Sequence, residues 1–166
     1  SGNGSPTHLG MELFKLAAKI DMVHIPYKGA APSRTDLIGG HVDTMFDVLR
    51  TALPYREAGR MRILAVASAR RSSIAPDLPT VDESGYQGIQ VLTWHMLLAP
   101  AGTPAAIVKS LQSEIARALL APALKDKLSK DGVEVAASTS AQAEAFLKSD
   151  FEKWRKVVQA AHVRLD

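Results

Sequence analysis

The chain contains no cysteine. That excludes disulfides, thiolate metal sites and cysteine nucleophiles, and it leaves the compartment open, because many proteins of oxidising compartments carry no disulfide. No apolar run reaches the ~18 residues of a membrane span. The first residues show no leader pattern, which a processed chain would lack in any case. Charge of one sign is also scarce: 20 Lys and Arg stand against 17 Asp and Glu, a net charge of +3. The one tight basic cluster is Arg70–Arg71, which argues against a dedicated nucleic-acid surface. There is no internal repeat and no low-complexity tract.

The standard catalytic patterns are missing too. Ser5 lies in no Gly-x-Ser-x-Gly elbow. No lysine follows the opening glycines as in a phosphate-binding loop, and Thr7 stands where a dinucleotide fingerprint needs its third glycine. His8, His24, His41, His95 and His162 have no metal-ligand spacing. Asp43, Asp47, Asp77, Asp82 and Glu83 form no obvious acid–base pair. No metal and no cofactor are expected. His24 and His95 fall in strand-like segments and read as ordinary packed or edge residues, and His8 reads as a first-turn histidine exposed to solvent.

What is present fits a soluble globular chain: 46% hydrophobic and 22% charged residues in 166, enough for one domain or one domain plus part of another. Ser5 and Pro6 predict a helix start, and Leu9, Leu13, Leu16, Ala17 and Ile20 recur at helical spacing. The reading continues with a strand at "DMVHIPY", a short helix at "APSRTDLIGG", a strand at "VDTMFDV" and a helical stretch from Thr51 to Ala58. "MRILAVAS" reads as a buried strand, Val81–Ser84 as a short helix and "IQVLTWHMLLAP" as a long strand. Helices are expected after a Thr103 cap, from Pro122 to a stop at Gly132, and after a Thr139–Gln142 capping box, with "VEVA" as a small strand between the last two. Strand and helix alternate up to about residue 95, as in an α/β sheet with crossover helices; the remainder is mainly helical.

The opening "SGNGSPTHLGMELFKLAAKI" carries the one stretch with evident chemistry. The first backbone N–H groups of a helix have no partner inside it, and the helix dipole places partial positive charge there. A carboxylate or phosphate would be stabilised at residues 4–8. Gly2 and Gly4 permit close backbone approach, Asn3, Ser5 and Thr7 add neutral donors, and nothing acidic repels an anion. The motif alone is better explained by a plain Ser-Pro cap, since Ser-Pro starts are common. Asp47 ends a strand-like segment, where α/β sheets place ligands.

"GNGSPTHL" with "ELFK", "VHIPYKGAAPSRTDLIGGHVDTMFD", "LPYREAGRMRILAVASARRSSIAPDLPTVDESG" and "LLAPAGTP" resemble, in order and spacing, the solute receptors of tripartite tricarboxylate transporters, the Bug family. The resemblance runs from Gly2 to the C-terminus. It implies a type II periplasmic-binding-protein-like α/β fold, in which residues 1–98 form the second ligand-binding lobe without its leading strand. Residues 99–166 would form the C-terminal helical segment of an incomplete first lobe, because family members are almost twice as long and the chain would be N-terminally truncated. The resemblance also implies a periplasmic binding protein without catalysis that hands a small carboxylate to the membrane components of a transporter. It favours the anion site over the plain cap. Asn3, Gly4, Ser5, Thr7 and His8 would form the second lobe's ligand loop, with the Tyr27–Lys28–Gly29–Ala30 turn and Asp47 lining the same cleft. Exposed helical stripes would then invite a homodimer or swapped assembly. Two other classes share parts of the pattern: an effector-sensing domain of a transcription regulator with the same two-lobed fold, and a small hydrolase or transferase using Ser5 and His8, for which no third group orients the histidine.

Overall fold

The computed structural model describes residues 2–164. The outermost positions of the two expected domains, 1 and 165–166, lie outside the described residues. Six helices follow one another: α1 (Pro6–Ala18), α2 (Ala30–Ile38), α3 (Leu49–Glu57), α4 (Ala105–Leu120), α5 (Pro122–Lys130) and α6 (Ser140–Ala160). Several helix ends have a local cause. Ser5 is extended and its Oγ accepts the His8 N–H at 3.2 Å, with Pro6 as the first helical residue. At the other end, Lys19 turns left-handed at φ 54° and its N–H bonds the Lys15 carbonyl, a cap that a glycine would more commonly supply. Gly39 ends α2, and α5 begins on Pro122. Thr139 and Gln142 form the expected reciprocal box: the Thr139 N–H donates to Gln142 Oε1 at 2.9 Å, and the Gln142 N–H to Thr139 Oγ1 at 3.2 Å.

Two local expectations are corrected. Thr103 does not cap α4; its hydroxyl donates to the Pro100 carbonyl at 2.8 Å, and extended Pro104 occupies the cap position. Val81–Ser84 forms a turn and no helix. Thr80 and Glu83 make a capping-box pair there, Thr80 N–H to Glu83 Oε2 at 2.7 Å and Glu83 N–H to Thr80 Oγ1 at 3.0 Å, but Gly85 at φ 99° ends the turn before a second one can form.

The strand-like segments differ more. Among the described residues they form only isolated pairings. Val66 bridges Thr80 in the parallel sense, with Val66 N–H to Pro79 C=O at 2.9 Å and Val81 N–H to Val66 C=O at 3.0 Å, while Val91 N–H reaches Ala67 C=O at 2.8 Å. The reason is physical: alternation in sequence states which side chains seek burial, whereas a ladder needs a neighbouring chain to take each N–H and C=O. "MRILAVAS" is accordingly covered over only part of its length: Val66 is buried, while Leu64, two residues earlier and on the same side of an extended chain, is 63% exposed.

The chain divides into two compact units. One runs through Thr93 and includes the residues from Trp154 onward; the other is Trp94–Lys153. The buried apolar residues belong to the first: Ala52, Val66, Ala75, Leu78, Val81, Ile89 and Val157. Val66, Ala75 and Leu78 cluster beneath Leu49 and Leu53 of α3 and beneath Ile63. Helix α1 lies on the segment around residue 90 through Gly10, where a Cβ would stand 2.9 Å from Val91 Cγ1, and through an edge contact of Phe14 with Tyr86. In the second unit α4 packs on α5, Trp94 donates its indole N–H to Asp150 at 2.9 Å, and Phe146 meets Trp94 edge-on. No described residue of that unit is buried; Ile107 and Leu111 are half exposed. No helix of the described residues is long and apolar enough to cross a membrane.

This distribution of burial predicts unequal costs of truncation. Ile89→Ala, at a side chain only 1% exposed, should cost about 2–5 kcal/mol. Leu111→Ala should stay within about 1 kcal/mol, since half its surface is already in water. Urea unfolding of both variants checks this, and equal costs would mean that the second unit has a core of its own.

Candidate anion-binding site

The loop before α1 and the turn before α2 are neighbours. The Tyr27 carbonyl oxygen lies 3.5 Å from where a side chain would begin at Gly2. The His8 ring of α1 stacks on the His24 ring at 3.7 Å between centroids, with 9° between their planes. Two helix N-termini therefore belong to one region, and neither first turn contains an acidic residue.

Within the loop the expected donors are partly engaged by the loop itself. The Ser5 N–H donates to the Gly2 carbonyl at 3.2 Å, the Gly4 N–H to His8 Nδ1 at 3.1 Å, and the His8 N–H to Ser5 Oγ. Pro6 has no N–H. These contacts do not use the Thr7 amide, the second of the helix. The Ser5 and Thr7 hydroxyls share a hydrogen at 3.0 Å, so one of them remains free to donate outward. Asn3 is exposed. The anion-competent face is thus narrower than a bare helix start: the Thr7 amide, one hydroxyl, and the positive end of the dipole.

On the neighbouring turn, Lys28 is exposed, and Gly29, at φ 114°, opens α2 without a side-chain cap ahead of Ala30. The Tyr27 hydroxyl donates to Asp36 Oδ2 at 2.7 Å, and this bond raises the phenol's pKa. Asp47 is held by Arg34: the guanidinium pairs with both carboxylate oxygens, Nη2 at 3.1 Å from Oδ1, and Nη2 also donates to Thr51 Oγ1 at 2.9 Å. The Val48 N–H adds a further donor to Asp47 Oδ1 at 2.8 Å. Asp47 therefore joins α2 to the start of α3, and its carboxylate is already engaged.

His8 is buried, contrary to the exposed first-turn reading. His24 is packed as expected, though on a second imidazole. Buried Glu12 faces His8 Nε2 at 3.9 Å and pairs with Lys15 at 3.0 Å. Burial lowers the pKa of His8, Glu12 opposing and Lys15 reinforcing the shift; burial and then the His8 charge lower that of His24. The spacing His8–Glu12–Lys15 was visible as i, i+4 and i+3 neighbours. The stack with His24 and the Arg34–Asp47–Thr51 link join distant elements and carried no such signal. Among the described residues no group of acidic, histidine or cysteine side chains is arranged to hold a metal ion.

The pattern of the family described as tripartite tricarboxylate transporter family receptor matches residues 1–163. A curated relative from Pseudomonas sp. strain P51, the UPF0065 protein of the tcbD–tcbE intergenic region, is 35% identical over 95% of this chain and 47% of its own length. The R. palustris protein Rpa4515, solved with adipate, is 35% identical with a TM-score of 0.82, over 96% of this chain and 54% of that one. The periplasmic binding protein BugD is 34% identical with a TM-score of 0.77, over 97% and 55%. The chain thus spans about half the length of the first curated relative and of these solved structures, and its fold is part of a periplasmic-binding-protein-like α/β fold.

Two outcomes follow from the geometry. Asp47→Ala would strand a guanidinium whose side chain is only 14% exposed; losing one partner of a buried pair should cost about 3–5 kcal/mol in urea unfolding. Both histidines have folded-state pKa values below the ordinary 6.5, so the unfolded chain binds more protons as the pH falls. Their contribution is complete above about 6.5 and is lost as the pH drops through the folded values. Thermal midpoints should therefore fall between about pH 7 and about pH 5.5, and His8→Gln/His24→Gln should flatten that slope.

Proposed function

The chain belongs to the tripartite tricarboxylate transporter receptor family, and on that premise we propose that it forms part of a periplasmic solute-binding protein that captures a small carboxylate and delivers it to the membrane components of a transporter. The observation that carries this reading is the match of nearly the whole chain to a structure solved with adipate. Binding, with no catalytic step, is the proposed activity.

The local chemistry supports it. A carboxylate at the first turn of α1 takes the Thr7 amide and the outward hydroxyl of the Ser5–Thr7 pair, and gains from the dipole. Asn3 and the exposed Lys28 supply further donors, the second with a full positive charge. Gly29 and Ala30 bring the start of α2 alongside, with Tyr27 as the backbone contact to Gly2. Gly4 and His8 act on the shape of the loop, and Asp47 acts at one remove, by fixing Arg34 between α2 and α3.

Titration calorimetry with adipate and with its neutral diamide tests the charge requirement. Adipate should release heat and adipamide should not. Thr7→Ala should weaken adipate roughly tenfold, as expected for one lost hydrogen bond to a charged group. Preference for the diamide, or for a cationic solute, would overturn the carboxylate assignment.

A further inference from the structure

We propose that His8 is a positioning residue for the carboxylate loop, holding the turn before α1 in shape through the Nδ1 lone pair that accepts the Gly4 N–H, so that the loop is organised only while this imidazole is neutral. The proposal rests on the reading above for the loop's purpose, and on geometry for its mechanism. The Gly4 N–H lies 3.1 Å from Nδ1, and Gly4 sits at φ 70°, a left-handed conformation that needs its own support. An imidazole nitrogen accepts only when it carries no proton. The proton of neutral His8 is therefore on Nε2, the nitrogen that faces Glu12 at 3.9 Å. A second proton would enter at Nδ1. It would set two N–H donors against each other, and the loop would lose one of its three amide bonds, keeping Ser5 N–H to Gly2 C=O at 3.2 Å and His8 N–H to Ser5 Oγ at 3.2 Å.

The surroundings hold His8 in the neutral form. Its ring is buried and lies flat on His24 at 3.7 Å. Two imidazolium rings at that spacing repel, so the pair takes up protons as a coupled unit. The charged groups facing the pair are Glu12 and Lys15 of α1. Glu12 alone favours protonation, and it is shared with Lys15 at 3.0 Å. The stacked histidine thus has a purpose beyond packing: it covers one face of the His8 ring, and burial is the largest cause that keeps this imidazole neutral.

Nitrogen-detected NMR on the labelled chain, from about pH 8 to about pH 5, spans the titration of such a pair. His8 should show an unprotonated Nδ1 at the upper end, and the Gly4 amide signal should move with the same midpoint as His8. His24→Ala, which uncovers one face of the ring, should raise the His8 midpoint and carry the Gly4 transition up with it. His8→Gln, whose amide oxygen can still accept, should keep the Gly4 signal in its bonded position at every pH; a packing role alone would displace it at every pH. A Gly4 amide indifferent to His8 titration, or a protonated Nδ1 at the upper end, overturns the proposal. Adipate titration at both ends separates the two readings. Gly4 following His8 without adipate binding retires the carboxylate assignment and keeps the positioning role; adipate binding with Gly4 indifferent does the reverse.

Discussion

The start of α1 has more hydrogen-bond donors than its own chain can absorb, and how that surplus is divided governs the rest of the site. Any α-helix leaves its first amides without internal partners. Here Ser5 takes the His8 amide, the Gly2 carbonyl takes the Ser5 amide, and His8 takes the Gly4 amide. Proline removes one donor outright. These internal contacts cost the loop breadth as an anion site, but they also fix it. A free glycine-rich turn would lose backbone entropy on every binding event, at about 1–2 kcal/mol per residue ordered. A turn already closed on itself offers fewer donors in a set direction, which is how a rigid carboxylate site is made.

The same division of labour recurs across α2 and α3. Asp47 and Arg34 are each largely buried, and each would be costly alone. Together, with Thr51 and the Val48 amide, they form a connected set in which both Asp47 oxygens and the Nε and Nη2 of Arg34 meet partners. That set pins the helix whose N-terminus, at Gly29 and Ala30, borders the opening loop. The Asp47 charge is thus balanced where it stands, by Arg34 and the Val48 amide.

Helix starts were largely readable from the chain because their causes are local. Ser5–Pro6, Pro122 and the Thr139–Gln142 pair act within four residues and appear where the spacing puts them. Strand readings carried less. Ile63, Leu64 and Val66 have the apolar, largely β-branched character of a strand, yet the ladder depends on what lies alongside, and that is not encoded in the segment itself. The candidate site divides in the same way. The residues of the opening loop could be named from their types and from the family likeness. Which of their amides are occupied could not, because the answer depends on the tautomer of His8 and on a ring twenty-four residues into the chain.

The second unit shows what local signals achieve on their own. In folded proteins most helix stability comes from packing one apolar face, yet α4 and α5 contain no buried residue. What holds these helices within the unit is visible in the side chains: the Thr139 box, the Glu114–Arg117, Glu144–Lys148 and Asp150–Lys153 pairs, the contact of α4 with α5, and Trp94 bridging to Asp150 and Phe146. Each exposed pair is worth only a few tenths of a kcal/mol, roughly 0.3–0.5, and a cap about 1. Ile107, Leu111, Phe146 and Phe151 meanwhile remain substantially exposed. Caps and ion pairs can set where such helices begin and end, but they do not require a stripe of large apolar residues along one side. The stripe is therefore a feature of contact chemistry and not of helix formation, and it distinguishes this unit, in which no described residue is buried, from the unit that has the buried core and the candidate loop.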